Sequence, residues 1–182
     1  HVYSEEMEHD ACGVGLIAST EGKKSRKVVE YGIEALKAVW HRGAVDADGK
    51  TGDGAGIHVE IPKDFFIEKI EVTGHTHDNS EICVGMIFLP RNDYAAQESC
   101  KTIVESELTK NDFSIYGWRQ VPVNPKVLGE KAFQTMPEII QVLFKSNNPE
   151  LLNKDLERKI YETRRIIENK AFKISLNNFY IC

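Results

Sequence analysis

The chain has 182 residues, 41% apolar and 28% charged, with 23 basic against 28 acidic side chains and a net charge of −5. That fits one globular domain, or part of a larger one, and excludes a wholly disordered chain. An acidic balance without a basic block argues against nucleic acid or an anionic membrane as the main partner, and no apolar run approaches the ~20 residues that span a bilayer.

In chain order, the first ten residues are acidic and polar, unlike a secretory signal or a transit peptide. Residues 12–19 are a short, glycine-containing apolar run that reads as a buried strand. Residues 24–40 read as a helix, because Val29, Ile33, Leu36 and Trp40 recur on one face, with Gly43 as a terminator. Residues 55–61 read as a strand and 62–70 as a short helix opened by Pro62. Residues 71–81 carry Gly, Asn and Ser and read as an exposed loop. The nearly continuous apolar run 82–89 predicts a strand covered on both faces.

A second long helix is predicted over 94–108. Residues 113–123 alternate as a strand does, with Pro122 near its end, and 138–144 form another strand candidate. Residues 150–171 read as a charged helix with Leu152, Leu156, Ile160, Thr163 and Ile167 on one side. Its Glu157-Arg158-Lys159 and Arg164-Arg165 clusters read as a solvated face. The last six residues read as a strand that stops without a turn. With no initiator Met, this suggests a piece of a longer chain. Alternation of strands and helices points to parallel βαβ units, but layered antiparallel sheets flanked by helices fit the same pattern.

The four cysteines, Cys12, Cys83, Cys100 and Cys182, form no Cys-x-x-Cys pair. Their spacing suggests a reducing compartment, and therefore a cytoplasmic protein, and argues against an all-cysteine metal or iron–sulfur site within these residues. His75-Thr76-His77-Asp78 has a metal-like look, but no second ligand cluster lies near it in sequence, and a solvated loop is the better reading.

Two segments carry candidate chemistry. In Glu8-His9-Asp10-Ala11-Cys12-Gly13-Val14-Gly15 an acidic leader runs into a cysteine preceded by a small residue. Cleavage before Cys12 would give it a free α-amine beside its own thiol, and an N-terminal nucleophile can use that amine as its base. The alternative is a buried structural cysteine. The second segment, residues 40–57, holds Arg42, Asp46, Asp48, Asp53 and a run of glycines between a helix and a strand. Its spacing does not fit a dinucleotide fingerprint, a Walker loop or an EF-hand. Arg42 could grip a carboxylate, or simply pair with Asp46 or Asp48.

Several motifs occur together in one order: residues 8–15, His41-Arg42-Gly43-Ala44, Thr51-Gly52-Asp53-Gly54-Ala55-Gly56-Ile57, Gly117-Trp118-Arg119-Gln120-Val121-Pro122-Val123, Leu128-Gly129-Glu130-Lys131-Ala132, Arg164-Arg165 and Phe179-Tyr180-Ile181-Cys182. Over nearly its whole length the chain resembles the amino-terminal, class II glutamine amidotransferase part of the glutamate synthase family. The resemblance implies an α+β fold, the four-layer αββα sandwich of N-terminal-nucleophile (Ntn) hydrolases with two antiparallel sheets, here truncated on its C-terminal side. It implies a propeptide over 1–11 and the amidotransferase domain over 12–182.

It further implies Cys12 as catalytic nucleophile, Arg42 as a substrate-binding or ordering residue, L-glutamine as substrate, and ammonia passed on for reductive amination of 2-oxoglutarate. The oxyanion-hole pair, the glutamine clamp, the FMN barrel and the iron–sulfur ligands would lie beyond Cys182. No cofactor would bind within these residues. The implied partners are the flavin domains of the same chain and an electron-donating small subunit or ferredoxin. The alternatives are another class II amidotransferase, of purine or asparagine biosynthesis, or a non-catalytic docking module if the leader is retained.

Overall fold

A computed structural model describes residues 13–40, 43–176 and 178–182. They divide into two units: the described part of His1–Glu60 with Val127–Ala132, and Ile61–Lys126 with Phe133–Cys182.

The first unit has one long helix, α1 (Arg26–Ala38). The Ser25 hydroxyl caps it, accepting from the Lys27 amide at 3.2 Å, and Lys37 sits in its last turn, where a cation suits the helix dipole. Val29, Ile33 and Leu36 form the expected stripe but are only half-buried. Trp40 follows the helix end and is 73% exposed, so it does not extend that stripe. The strands expected over 12–19 and 55–61 are not found: residues 13–19 and 55–61 have no strand, and Val14 and Leu16 stand in solvent. Cys12 itself lies outside the described residues. The physical reason is that a strand is a property of a pair. Apolar composition favours a strand only where a neighbour supplies the hydrogen-bond ladder, and these runs have none among the described residues.

The second unit is built on one antiparallel sheet of β1 (Cys83–Leu89), β2 (Phe113–Gln120), β3 (Glu138–Ser146) and β4 (Tyr180–Ile181), in the order β2-β3-β1-β4. The helices α2 (Lys63–Val72), α3 (Tyr94–Lys110) and α5 (Asn153–Lys173) accompany it, and a short α4 (Glu130–Thr135) precedes β3. Strand β3 pairs with both β1 and β2, and β4 pairs with β1 on its other side. Each long helix therefore joins two strands that run parallel but are separated by an antiparallel neighbour, giving two interlocked split βαβ units. This resolves the open choice between parallel and antiparallel layering. The alternation is real, but the sheet is antiparallel.

The main core lies on one side of the sheet. Ile87, Leu89, Val142 and Phe144 pack with Cys100, Val104 and Leu108 of α3 and Leu156 and Ile167 of α5. A smaller core on the other side joins Phe66 and Ile70 of α2 to Ile82, Tyr116 and Leu143. Strand β1 accordingly alternates between fully and half-buried residues. The expectation of complete cover on both faces is corrected: only part of the second face is covered by α2. Leu152 is also corrected. It caps α5 instead of joining its buried stripe and is 49% exposed. A side-chain cap marks the start of α3, where the Asp93 carboxylate accepts from the Ala96 amide at 2.9 Å.

Strand β2 carries a bulge between Ile115 and Gly117. Thr73 fills the space beside it, its hydroxyl donating to the Tyr116 carbonyl at 2.8 Å. Gly117 has φ +153, and a Cβ there would lie 2.7 Å from the Thr73 methyl, so glycine is required twice over.

Glu107 of α3 is a buried carboxylate, 4% exposed, gripped by Lys170 Nζ at 2.6 Å and Lys110 Nζ at 3.1 Å. The hydrogen bond from Lys170, aided by Lys110, holds its carboxyl below the usual range. A depressed native pKa means the unfolded chain binds more protons. The contribution of Glu107 is therefore fully present above the unfolded value of about 4.3 and is lost as pH falls through the native value. Denaturant midpoints measured from about pH 7 down to about pH 3 are expected to fall less steeply in Glu107→Gln than in the parent. Equal slopes would remove this assignment. Among the described residues, no helix is long and apolar enough to cross a membrane.

Candidate active site

The glycine- and aspartate-rich segment that follows α1 folds as a small hairpin. Val45 and Gly52 form an antiparallel bridge. The Asp46 amide donates to the Thr51 carbonyl at 2.7 Å, and the Asp53 amide to the Ala44 carbonyl at 3.3 Å. The side chains complete the turn. The Asp48 carboxylate accepts from the Thr51 hydroxyl at 2.5 Å, the Thr51 amide at 2.7 Å and the Lys50 amide at 2.9 Å. That set of donors, the Thr51 hydroxyl first, holds Asp48 well below the usual carboxylate range. The Asp53 carboxylate accepts from the Ala44 amide at 2.9 Å. Short acidic side chains suit this place because they can close a turn on their own backbone.

A distant stretch of the chain completes the hairpin. Lys131 Nζ pairs with Asp46 at 2.6 Å, and the Ala132 amide approaches the Thr51 hydroxyl at 3.4 Å. Gly129 lies against the turn so closely that a Cβ there would overlap Thr51 Oγ1, Asp48 Oδ2 and the Thr51 nitrogen. All three aspartates thus have a partner that the structure identifies. Asp46 and Asp48, the possible partners for Arg42, are engaged by Lys131 and Thr51. Cys12, Arg42 and the leader 1–11 lie outside the described residues. The roles of Gly129, Thr51 and Lys131 were not read from sequence. The one signal available was that Leu128-Gly129-Glu130-Lys131-Ala132 and the Thr51 run both belong to the set of ordered motifs.

The histidine segment has a different use. Asp78 pairs with Lys145 and accepts from the Ser80 hydroxyl at 2.6 Å and the Tyr116 hydroxyl at 3.2 Å. Lys145 first, then Ser80, keeps its carboxyl well below the ordinary range. His75 and His77 flank the Tyr116 ring, with centroids at 6.2 and 6.4 Å. The loop is therefore tied to the sheet instead of standing free in water. Among the described residues, no group of three or more His, Cys, Asp or Glu could hold a metal ion.

The other cysteines offer no competing nucleophile in the core. Cys83 and Cys100 are buried, and burial pushes their thiols up to about 12 and about 11. Such thiols carry almost no thiolate near neutral pH. Cys182 is exposed.

The family model for class II glutamine amidotransferases matches residues 12–182. The chain is 53% identical over 182 residues to the glutamate synthase [NADPH] large chain of Azospirillum brasilense, covering all of this chain and 12% of that protein. It is 39% identical over 162 residues to the chloroplastic ferredoxin-dependent glutamate synthase 2 of Arabidopsis thaliana, covering 88% of this chain and 10% of that protein. It is 40% identical over 183 residues to the ferredoxin-dependent glutamate synthase of Pyropia yezoensis, covering 97% of this chain and 11% of that protein.

Proposed function

The chain belongs to the class II glutamine amidotransferases, and from that premise we propose that it is the glutaminase part of a glutamate synthase, with Cys12 as its nucleophile. The observation that carries this reading is the family match, which begins at Cys12 and runs to Cys182. Removal of residues 1–11 as a propeptide frees the Cys12 α-amine. With a pKa of about 7.7–8.0, that amine is neutral in part at neutral pH and can accept the thiol proton.

The Cys12 sulfur attacks the side-chain carbonyl carbon of L-glutamine, and its proton passes to the α-amine. The C–N bond then breaks, and the leaving nitrogen takes that proton and departs as ammonia. A γ-glutamyl thioester remains. Water attacks it, the α-amine again carrying the proton, and glutamate leaves as the thiol is restored. The amine gives only a modest proton-transfer gain, so positioning and charge stabilisation at the carbonyl oxygen supply most of the rate. Arg42 binds or orders the substrate.

In the whole protein the ammonia would aminate 2-oxoglutarate, and reduction of the product would give a second glutamate. FMN and an iron–sulfur cluster would serve that step outside these residues, fed by NADPH through a small subunit or by ferredoxin. We further propose that the domain is the αββα sandwich of two antiparallel sheets, located in the cytoplasm. Support for the sandwich comes from the class II amidotransferase match over residues 12–182.

Two measurements on the full chain test the reading. The intact mass of the mature protein is expected to lack residues 1–11. A glutamine-like electrophile is expected to add to Cys12 and to leave Cys83 and Cys100 unmodified, because burial denies both of them access and charge. A mature protein that keeps the leader, or an adduct on Cys83 or Cys100, would overturn it.

A further inference from the structure

The structure assigns Asp53–Gly54 as a site of spontaneous main-chain modification, where the Gly54 nitrogen closes on the Asp53 side chain and the aspartate becomes isoaspartate. Ring closure needs a carboxyl one residue before the attacking nitrogen, a following residue with no side chain in the way, and a nitrogen free to move. Two described aspartates precede glycine, Asp48 and Asp53, and both pairs are exposed in the one hairpin. Their local sequences are alike, and their contacts separate them.

At Asp48 both reacting groups are held. The carboxylate accepts from the Thr51 hydroxyl at 2.5 Å, the Thr51 amide at 2.7 Å and the Lys50 amide at 2.9 Å. These donors keep it as the anion, whereas attack requires the un-ionised acid. The Gly49 amide is committed to the Asp46 carbonyl at 2.9 Å. At Asp53 the carboxylate has one donor, the Ala44 amide at 2.9 Å. The Gly54 amide has no hydrogen-bond partner among the described residues, and open space surrounds Gly54 where a side chain would lie. The chain beyond it, residues 55–61, has no strand to fix it. An unpaired peptide unit in open space reaches main-chain angles that a paired one does not. Asparagine undergoes the same closure with loss of ammonia, but at Asn79 the following Ser80 amide donates to the Asp78 carboxylate at 3.3 Å.

The Gly54 nitrogen bonds to Asp53 Cγ as the Cγ–OH bond breaks. The hydroxyl leaves with the proton of that nitrogen as water, and a five-membered succinimide remains. Water then adds at either ring carbonyl. Addition at Cγ breaks the new C–N bond and restores aspartate. Addition at the main-chain carbonyl breaks the original peptide C–N bond instead. The chain then runs through Cβ and Cγ, one methylene longer, and the carboxylate sits directly on Cα. The net change is an isomerisation that consumes nothing. The product cannot keep both contacts to Ala44, the Asp53 amide to its carbonyl at 3.3 Å and the carboxylate to its amide at 2.9 Å, because the spacing between that nitrogen and the carboxylate has changed.

The test is storage of the purified full chain at neutral pH and body temperature for several weeks. Peptide mapping then separates aspartyl from isoaspartyl peptides, and an isoaspartate-specific carboxyl methyltransferase provides a second readout. Isoaspartate at residue 53 is expected to exceed that at residue 48 by about tenfold or more, the scale of one or two net hydrogen bonds held at Asp48. In urea, with the hairpin unfolded, the two sites are expected to react at closely similar rates, since only local sequence then distinguishes them. Gly54→Ala is expected to suppress the reaction at residue 53. Equal rates in the native chain, a higher rate at residue 48, or a native ratio no different from that in urea would overturn the assignment. The comparison of native with urea uses the parent chain alone, so it decides the matter even if Gly54→Ala misfolds.

Discussion

Cys12→Ala in the full chain is expected to lower ammonia release from glutamine by about 10⁴-fold or more, the scale on which removal of a covalent nucleophile acts. The variant keeps the main-chain amine and loses only the sulfur, so no thioester can form. A base without its nucleophile could at most direct water at the amide, and proton transfer alone contributes about 10²–10⁴-fold in enzymes generally. Cys12→Ser is expected to fall nearly as far, because a hydroxyl is far less acidic than a thiol and the α-amine is a weak base for it. A far-UV circular dichroism spectrum identical to the parent's would separate this loss from misfolding. Ammonia release by the alanine variant at the parental rate would refute the assignment of the nucleophile.

The second large effect concerns stability. Ile87 is fully buried at the middle of β1, opposite Ile140 on β3 and Ile181 on β4. Truncation to alanine removes its methyl and methylene groups at the point where three strands meet, and the helices that cover the site cannot close the gap. A loss of about 2–5 kcal/mol is expected, a large part of the roughly 5–15 kcal/mol that holds a typical domain together. Equilibrium urea unfolding would show it as a lowered midpoint at unchanged slope. Tyr94→Ala provides the contrast. That ring is 77% exposed, and its loss is expected to stay within about 0.5 kcal/mol. A cost at Ile87 below about 1 kcal/mol would mean that the site is less tightly packed than its burial implies.

Much of the fold was legible before any coordinates because it is written in short-range signals. Pro62 before α2 and the apolar stripe of α5 each act within a few residues, and each of these helices lies where its signal falls. The errors have a common origin. Trp40 and Leu152 continue a helical spacing beyond the residues that are helical, since periodicity does not mark where a helix ends. Residues 13–19 and 55–61 have strand composition but no partner among the described residues, and composition cannot supply one. α4 was missed because Glu130–Thr135 is too short to show a period.

The candidate site divides along the same line. Cys12 and Arg42, which lie outside the described residues, were proposed from a local motif and its chemistry. The contact of Gly129 with Asp48 and Thr51 was not, because nothing near Gly129 in the chain requires a glycine there.

The sequence by itself determined the family, through motifs that keep one order along the chain, and it placed α1, α2, α3 and α5, because helix-end signals and amphipathic spacing act over neighbouring residues. The tertiary structure decided that a strand–helix alternation makes an antiparallel sheet, with β3 inserted between β1 and β2. It also decided that Asp46 and Asp48 serve the turn and its contacts with Lys131 and Gly129. Both outcomes depend on groups far apart in sequence that meet only when the chain closes on itself, and no local pattern records which of them will meet.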